Sequence, residues 1–314
     1  MAPYVRRHAA YFGRALAMPN TLPPVSDPLS LSAYRAGIEA SLGPGTDFRP
    51  LMTFKILPGM TGETVRACAA AGAVAGKYYP TGATTNAADG PSCPGAVAEA
   101  LDAMEASGLL LSIHGEDPEA PSLEREEAFL DTVAEILAGW PRLRVVLEHL
   151  STKAAVDFVG SGPERLGATI TAHHLLFTMD DMLGKGLNPH LFCKPIIKSA
   201  SDRAALRAAA FSASSRFFFG SDSAPHSRAS KESASAPGGV YSAPTAIPAL
   251  AGLFEAEGAL KALEAFTAVN GAAFYRLPPP SGTITLRREP WEVPSIMDGA
   301  VPMCAGAILD WRLA

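Results

Sequence analysis

The sequence predicts an α/β fold, a (β/α)8 TIM-like barrel missing its first strand. Three observations predict it. Short apolar runs alternate with helical stretches along most of the chain, which is the spacing of a parallel α/β sheet. Four of these runs stop abruptly at a polar group: Lys77 after Ala73–Gly76, His114 after Leu109–Ile113, His149 after Val145–Glu148, and Asp222 after Arg216–Ser221. Barrels of this type carry their catalytic groups at the carboxyl ends of strands. Finally, the runs number seven, where a closed barrel needs eight. The chain opens on a helix, so the absent strand is the first.

Taken in order, Met1 to Tyr11 reads as the end of a helix, with Tyr4, Val5, His8 and Tyr11 at helical spacing and His8 on its solvated side. Arg14 to Met18 is a short strand closed by Pro19–Asn20, and a proline-rich loop leads to a helix through Leu31–Leu42. Leu51 to Ile56 is a strand and Thr61 to Ala71 a helix. Ala73 to Tyr79 is a strand running into the polar loop Pro80–Asn86. There follow helix Pro94–Ala106, strand Leu109–His114, helix Arg125–Ala138, strand Arg144–His149, helix Thr152–Val159 and strand Leu166–Thr171. Thr178 to Pro195 is irregular. Asp202–Ala213 is a helix, Arg216–Asp222 the last strand, and Ala246–Glu255 and Leu260–Val269 are terminal helices. The expected division is a barrel over 1–277 and an appended extension over 278–314, which holds Thr283–Leu286 and scattered apolar residues.

Composition narrows the function classes. Of 314 residues, 48% are hydrophobic and 18% charged, which is material for a large core. A formal net charge of -5 gives no basic footprint for nucleic acid or an anionic membrane. The four cysteines show no paired spacing and fit a reducing cytoplasm. The apolar runs are of strand length, so no transmembrane helix is expected.

Imidazole nitrogen and carboxylate oxygen are zinc ligands, and His114 and His149 end consecutive strands. An isolated strand-end histidine is ordinarily structural, and an isolated Asp-Ser an Asx turn. Two histidines beside Lys77 and Asp222 point instead to a metal-centred hydrolase. An ammonium repels a cation, so Lys77 either forms a strand-end salt bridge or is carboxylated, its carbamate then bridging two metals. His173, His174 and His190 read as structural. Thr84–Thr85 either cap a helix or belong to a lid whose hydroxyls meet the substrate.

These motifs resemble the amidohydrolase superfamily and, within it, the shorter bacterial-type dihydroorotases. The resemblance spans Arg14 to Tyr275 and rests on Met18–Pro19–Asn20, Gly76–Pro80, Ala83–Asn86, Ile113–Glu116, Leu147–His149, Ala168–Thr171, Gly220–His226, Lys231–Ser233 and Val269–Gly271. It implies zinc-dependent, reversible hydrolysis of the cyclic amide of dihydroorotate to N-carbamoyl-aspartate, in pyrimidine (UMP) synthesis. It implies two zinc ions per subunit, bridged by Lys77 as N6-carboxylysine. His114 and His149 complete the more exposed metal site, and Asp222 ligates the buried one. Asp222 is also the general base and acid, taking a proton from the bridging hydroxide and returning it to the leaving nitrogen. Asn20 and His226 hold the substrate carboxylate, Thr84 and Thr85 lie on the closing loop, and the main chain at Lys194 and Gly238 touches the pyrimidine ring. Lys194 stands where the family more often has an apolar residue. A homodimer is implied.

One departure is large. The family opens on a strand with His-x-His and, two residues later, an arginine, and the 314 residues contain no such motif. One expectation is that Met1 is an internal methionine of a longer protein; the other is a natural, non-catalytic or altered relative supporting a partner. For the chain as it stands, the sequence predicts a crippled buried-metal site and unpaired strand edges, an aggregation liability. A hydantoinase-like cyclic-amide hydrolase is the remaining alternative, disfavoured because Asn20, His226 and the threonine loop suit an anionic pyrimidine.

Overall fold

The structure, a computed structural model, describes residues 1–212 and 214–314. Seven strands lie in one sheet in sequence order: β1 (Arg14–Ala17), β2 (Arg49–Lys55), β3 (Ala73–Tyr78), β4 (Leu110–Ile113), β5 (Arg144–Leu147), β6 (Leu166–Ile170) and β7 (Phe217–Phe219). Among the described residues, this is the strand set expected from the apolar runs. The chain forms two compact units, Met1–Glu148 with Ser161–Gly167, and His149–Gly160 with Ala168–Ala314.

In the first unit β1 to β5 pair in parallel, neighbour to neighbour. Both faces of β4 are buried, which is why it reads as a continuous apolar run instead of an alternating one. Small residues on β3 let its neighbours close in. A Cβ at Gly76 would lie 2.8 Å from Met104 Sδ and 3.0 Å from Phe54 Cζ, so this position next to Lys77 admits only glycine without repacking. Two of the helices start where side chains satisfy their free amides. Asp27 and Ser30 form a capping box before Pro28–Ala40, and Thr61 caps Gly62–Ala70. Gly108, at φ 69°, ends Ala98–Ser107. His8 departs from expectation: it is half-buried on Ala2–Ala9, with Nδ1 3.2 Å from the Tyr4 carbonyl, and burial lowers its pKa.

In the second unit Ala168, Thr169 and Ile170 of β6 stand in register with Phe217, Phe218 and Phe219 of β7. Helix Ala246–Ala256 is buried along most of its length and, with Phe211, Phe254 and Phe266, forms the aromatic core. Three segments differ from the sequence reading. The Thr178–Pro195 stretch contains the short helices Met179–Leu183 and Pro189–Leu191. Leu260–Val269 is a 3-10 turn, Leu260–Ala262, followed by a π-helical turn, Ala265–Val269. There Thr267 Oγ1 donates to the Leu263 carbonyl at 2.7 Å, a bond that competes with the backbone ladder. The extension pairs β8 (Leu286–Glu292) with β9 (Ile308–Leu313) as an antiparallel hairpin, and Trp311 Nε1 donates to Glu255 at 3.1 Å. The carboxyl end of the expected helix through Ala213 lies outside the described residues; the described helix is Ala200–Phe211.

Candidate active site

In the first unit the ends of β3 and β4 bring Lys77 and His114 together. Lys77 is in register with Ser112, and the His114 amide donates to the Tyr78 carbonyl at 2.9 Å. Both side chains are 2% exposed. Lys77 Nζ lies 5.3 Å from the centroid of the Tyr79 ring, which is itself 6.2 Å from the His114 ring. His114 Nε2 sits 2.7 Å from Glu116 Oε2, also buried. That contact places the ring proton on Nε2 and fixes the orientation of the ring. The turn between them needs Gly115, where a Cβ would fall 2.5 Å from Leu147 Cδ1. A buried lysine, an imidazole and a carboxylate that orients the imidazole form a donor set suited to zinc once the lysine carries a carbamate.

The same unit fixes the threonine loop. Asn20 Nδ2 donates to the Thr85 carbonyl at 3.4 Å, and Asn86 Nδ2 returns to the Asn20 carbonyl at 2.8 Å. Lys55, 1% exposed at the end of β2, donates to the Asn86 carbonyl at 2.6 Å and pairs with Asp89. Thr84 and Thr85 are half-buried within turns, not at a helix start.

In the second unit His149 and Asp222 both occupy the left-handed backbone region, at φ 46° and 38°. Non-glycine residues there are strained, and such positions gather at functional sites. Thr169 supports the first: its Oγ1 accepts from the His149 amide at 2.6 Å, and its side chain would stand 2.9 Å from a Cβ at Gly220. His226, Lys194 and Gly238 also come together. His226 Nε2 is 3.2 Å from the Gly238 carbonyl, and burial lowers the imidazole pKa. A Cβ on Gly238 would stand 3.3 Å from Lys194 Cγ and 3.6 Å from Lys194 N. The lysine stem therefore lies along the glycine, which accounts for a long side chain at that position.

His173, His174 and Cys193 also form a buried group with ligand atoms within 4.8 Å of one another. His174 already contacts Thr171 Oγ1 at 2.8 Å and the Pro195 carbonyl at 3.1 Å, and Cys193 Sγ donates to the same carbonyl at 3.1 Å. These contacts brace the loop at His174 and Cys193, whereas both ring nitrogens of His173 are buried without a hydrogen-bond partner among the described residues. His190 lies 3.2 Å from Glu232. Glu116, Thr169 and Lys231 were not singled out as site residues from the sequence. All three lie inside motifs that carry the family resemblance, Ile113–Glu116, Ala168–Thr171 and Lys231–Ser233, but those motifs gave them no role.

A parallel α/β sheet with these groups at its strand ends defines an amidohydrolase-type fold. No model of a known protein family matches the chain. Among curated proteins, a dihydroorotase from Teredinibacter turnerae is 46% identical over 312 residues, covering 97% of this chain and 91% of its own. The crystal structure of dihydroorotase from Campylobacter jejuni superposes with a TM-score of 0.91 at 34% identity, over 99% of this chain and 91% of that one. Dihydroorotase from Saccharomyces cerevisiae, solved in complex with 5-fluoroorotic acid, gives a TM-score of 0.91 at 31% identity, over 100% and 92%. This chain belongs to the dihydroorotase family, the metal-dependent cyclic amidohydrolases. No helix is long and apolar enough to cross a membrane among the described residues.

Proposed function

We propose that this chain opens the cyclic amide of dihydroorotate to N-carbamoyl-aspartate, reversibly, in pyrimidine synthesis. The observation that carries the reading is the buried Lys77–His114 pair, with Glu116 on the far nitrogen of the imidazole. Lys77, carboxylated on Nζ, His114, His149 and Asp222 would hold zinc. When bound, the metal would supply Lewis-acid activation of water and of the scissile carbonyl. Asp222 accepts a proton from the attacking water as the C–O bond forms and delivers it to the amide nitrogen as the C–N bond breaks. Asn20 and His226 hold the substrate carboxylate, the Thr84–Thr85 loop shields it from water, and the Lys194 and Gly238 main chain receives the ring. The protein acts as a cytoplasmic homodimer, with 278–314 an extension of the barrel.

The test is Asp222→Asn in protein prepared with zinc and bicarbonate. Turnover of dihydroorotate should vanish while zinc stays bound. Turnover in the variant would refute the role of Asp222, and a folded, zinc-loaded parent without turnover would refute the activity.

A further inference from the structure

Lys231 ends the short helix Arg228–Lys231 and is 3% exposed. Its Nζ donates to three main-chain carbonyls: Phe192 at 2.8 Å, Pro237 at 2.9 Å and Gly239 at 2.8 Å. An ammonium has three N–H donors and no acceptor, so each donor has one carbonyl. A buried lysine is ordinarily paired with a carboxylate; here the three acceptors are neutral and come from two separate loops. The two loops are also joined directly, since the Gly239 amide donates to the Phe192 carbonyl at 2.9 Å. The carbonyl between, Gly238, faces His226 Nε2 at 3.2 Å. Three successive carbonyls, 237 to 239, are thus each turned toward a donor. Fixing three carbonyls fixes the peptide planes between them, and with them the amides of this run.

We infer that Lys231 is the positioning residue of the main-chain cradle formed by Phe192–Lys194 and Pro237–Gly239, which receives the substrate ring. The inference rests on the dihydroorotase reading given above. The ammonium does not touch the substrate; it holds Gly238 against Lys194, the two backbones assigned to the ring. An apolar side chain of equal length would leave the Pro237 and Gly239 carbonyls unmatched and take one of two donors from the Phe192 carbonyl, and the loops would separate to reach water. Desolvation brings the Lys231 pKa down to about 8, so the clamp loosens as the pH rises past that value. The titratable groups beside it are Cys193, His173 and His226.

The experiment compares the parent with Lys231→Ala and Lys231→Arg, measuring KM and kcat for dihydroorotate and zinc per chain. In Lys231→Ala, KM should rise about tenfold or more, kcat should fall by less than about threefold, and zinc should be unchanged. Ethylammonium added to Lys231→Ala should restore KM by refilling the site. An unchanged KM, or a loss of kcat and zinc with no change in KM, overturns the proposal. If Lys231→Ala does not fold, the parent and Lys231→Arg decide by their pH profiles. The parent KM should climb above about pH 8 and the arginine variant, charged throughout, should stay flat although Cys193 is still present. A flat parent profile, or the same climb in both, overturns the proposal. Absence of turnover in the parent at every pH is a failure of the underlying activity, and this inference falls with it.

Discussion

The two compact units hold their site groups by different means. In the first, side chains do it: Glu116 fixes the His114 ring, Asp89 ties Lys55, and Asn86 reaches back to Asn20. In the second, the main chain does most of it: three carbonyls surround Lys231, a fourth faces His226, and left-handed backbone presents His149 and Asp222. Side-chain ties are local and can be retuned by one substitution at the tying residue. Main-chain ties survive substitution of the residues that supply the carbonyls, yet three of them rest on one shared donor, Lys231. The first unit should therefore lose function in small steps and the second in large ones.

The most severe test is Lys231→Met. It removes the shared donor from three carbonyls, of which Phe192 keeps the Gly239 amide while Pro237 and Gly239 are left unmatched, at about 1–3 kcal/mol each before relaxation. A net loss of about 3 kcal/mol in denaturant unfolding is expected; a loss within 0.5 kcal/mol, roughly the effect of a surface change, would break the comparison. Thr169→Val is next, because it keeps the shape and removes the acceptor of the His149 amide. It should cost about 2 kcal/mol and lower zinc occupancy, both read on the same purified protein.

Glu116→Gln belongs to the other unit and should leave stability nearly unchanged. Zinc affinity should fall about tenfold or more as the imidazole loses its charged partner, measured by competition with a chelator. Asp89→Asn should be mildest, under about 1 kcal/mol, since the Asp89 side chain is 51% exposed and water screens the pair. The hydrogen bond from Lys55 lowers the Asp89 pKa. The tie is therefore complete above the ordinary aspartate value and lost as pH falls through the lowered one. Acidification below about pH 4 should expose the Thr81–Gly90 loop to pepsin in the parent, with no added exposure in Asp89→Asn. Equal pH dependence in both would remove Asp89 from the argument.

β4 and β7 were legible because nearly every position of each is buried, so they appear as largely apolar runs that end at a polar group. Lys77, His114, His149 and Asp222 stood out as candidates for the same reason, as abrupt interruptions. The support beneath them was hidden. A carbonyl has no letter of its own, so the ring of acceptors around Lys231 leaves no pattern in the sequence. Thr169 is one more β-branched residue in a strand. The π-helical turn at Ala265–Val269 depends on a hydroxyl four residues from its acceptor and looks like ordinary helix. His8 misled because an amphipathic helix read alone does not show what covers its polar face.

The left-handed backbone at His149 and Asp222 also restricts how these two positions can drift over generations. Asparagine, aspartate, histidine and glycine accept that conformation most readily, and alanine or valine adds backbone strain to whatever chemistry is lost. Selection for folding alone thus narrows the alphabet there, even in a lineage that no longer needs the reaction. A descendant that abandons catalysis should show asparagine or glycine at these two places before it shows any aliphatic residue. Such a pair would be a relic of the ancestral trade, written in the conformation and not in the ligand.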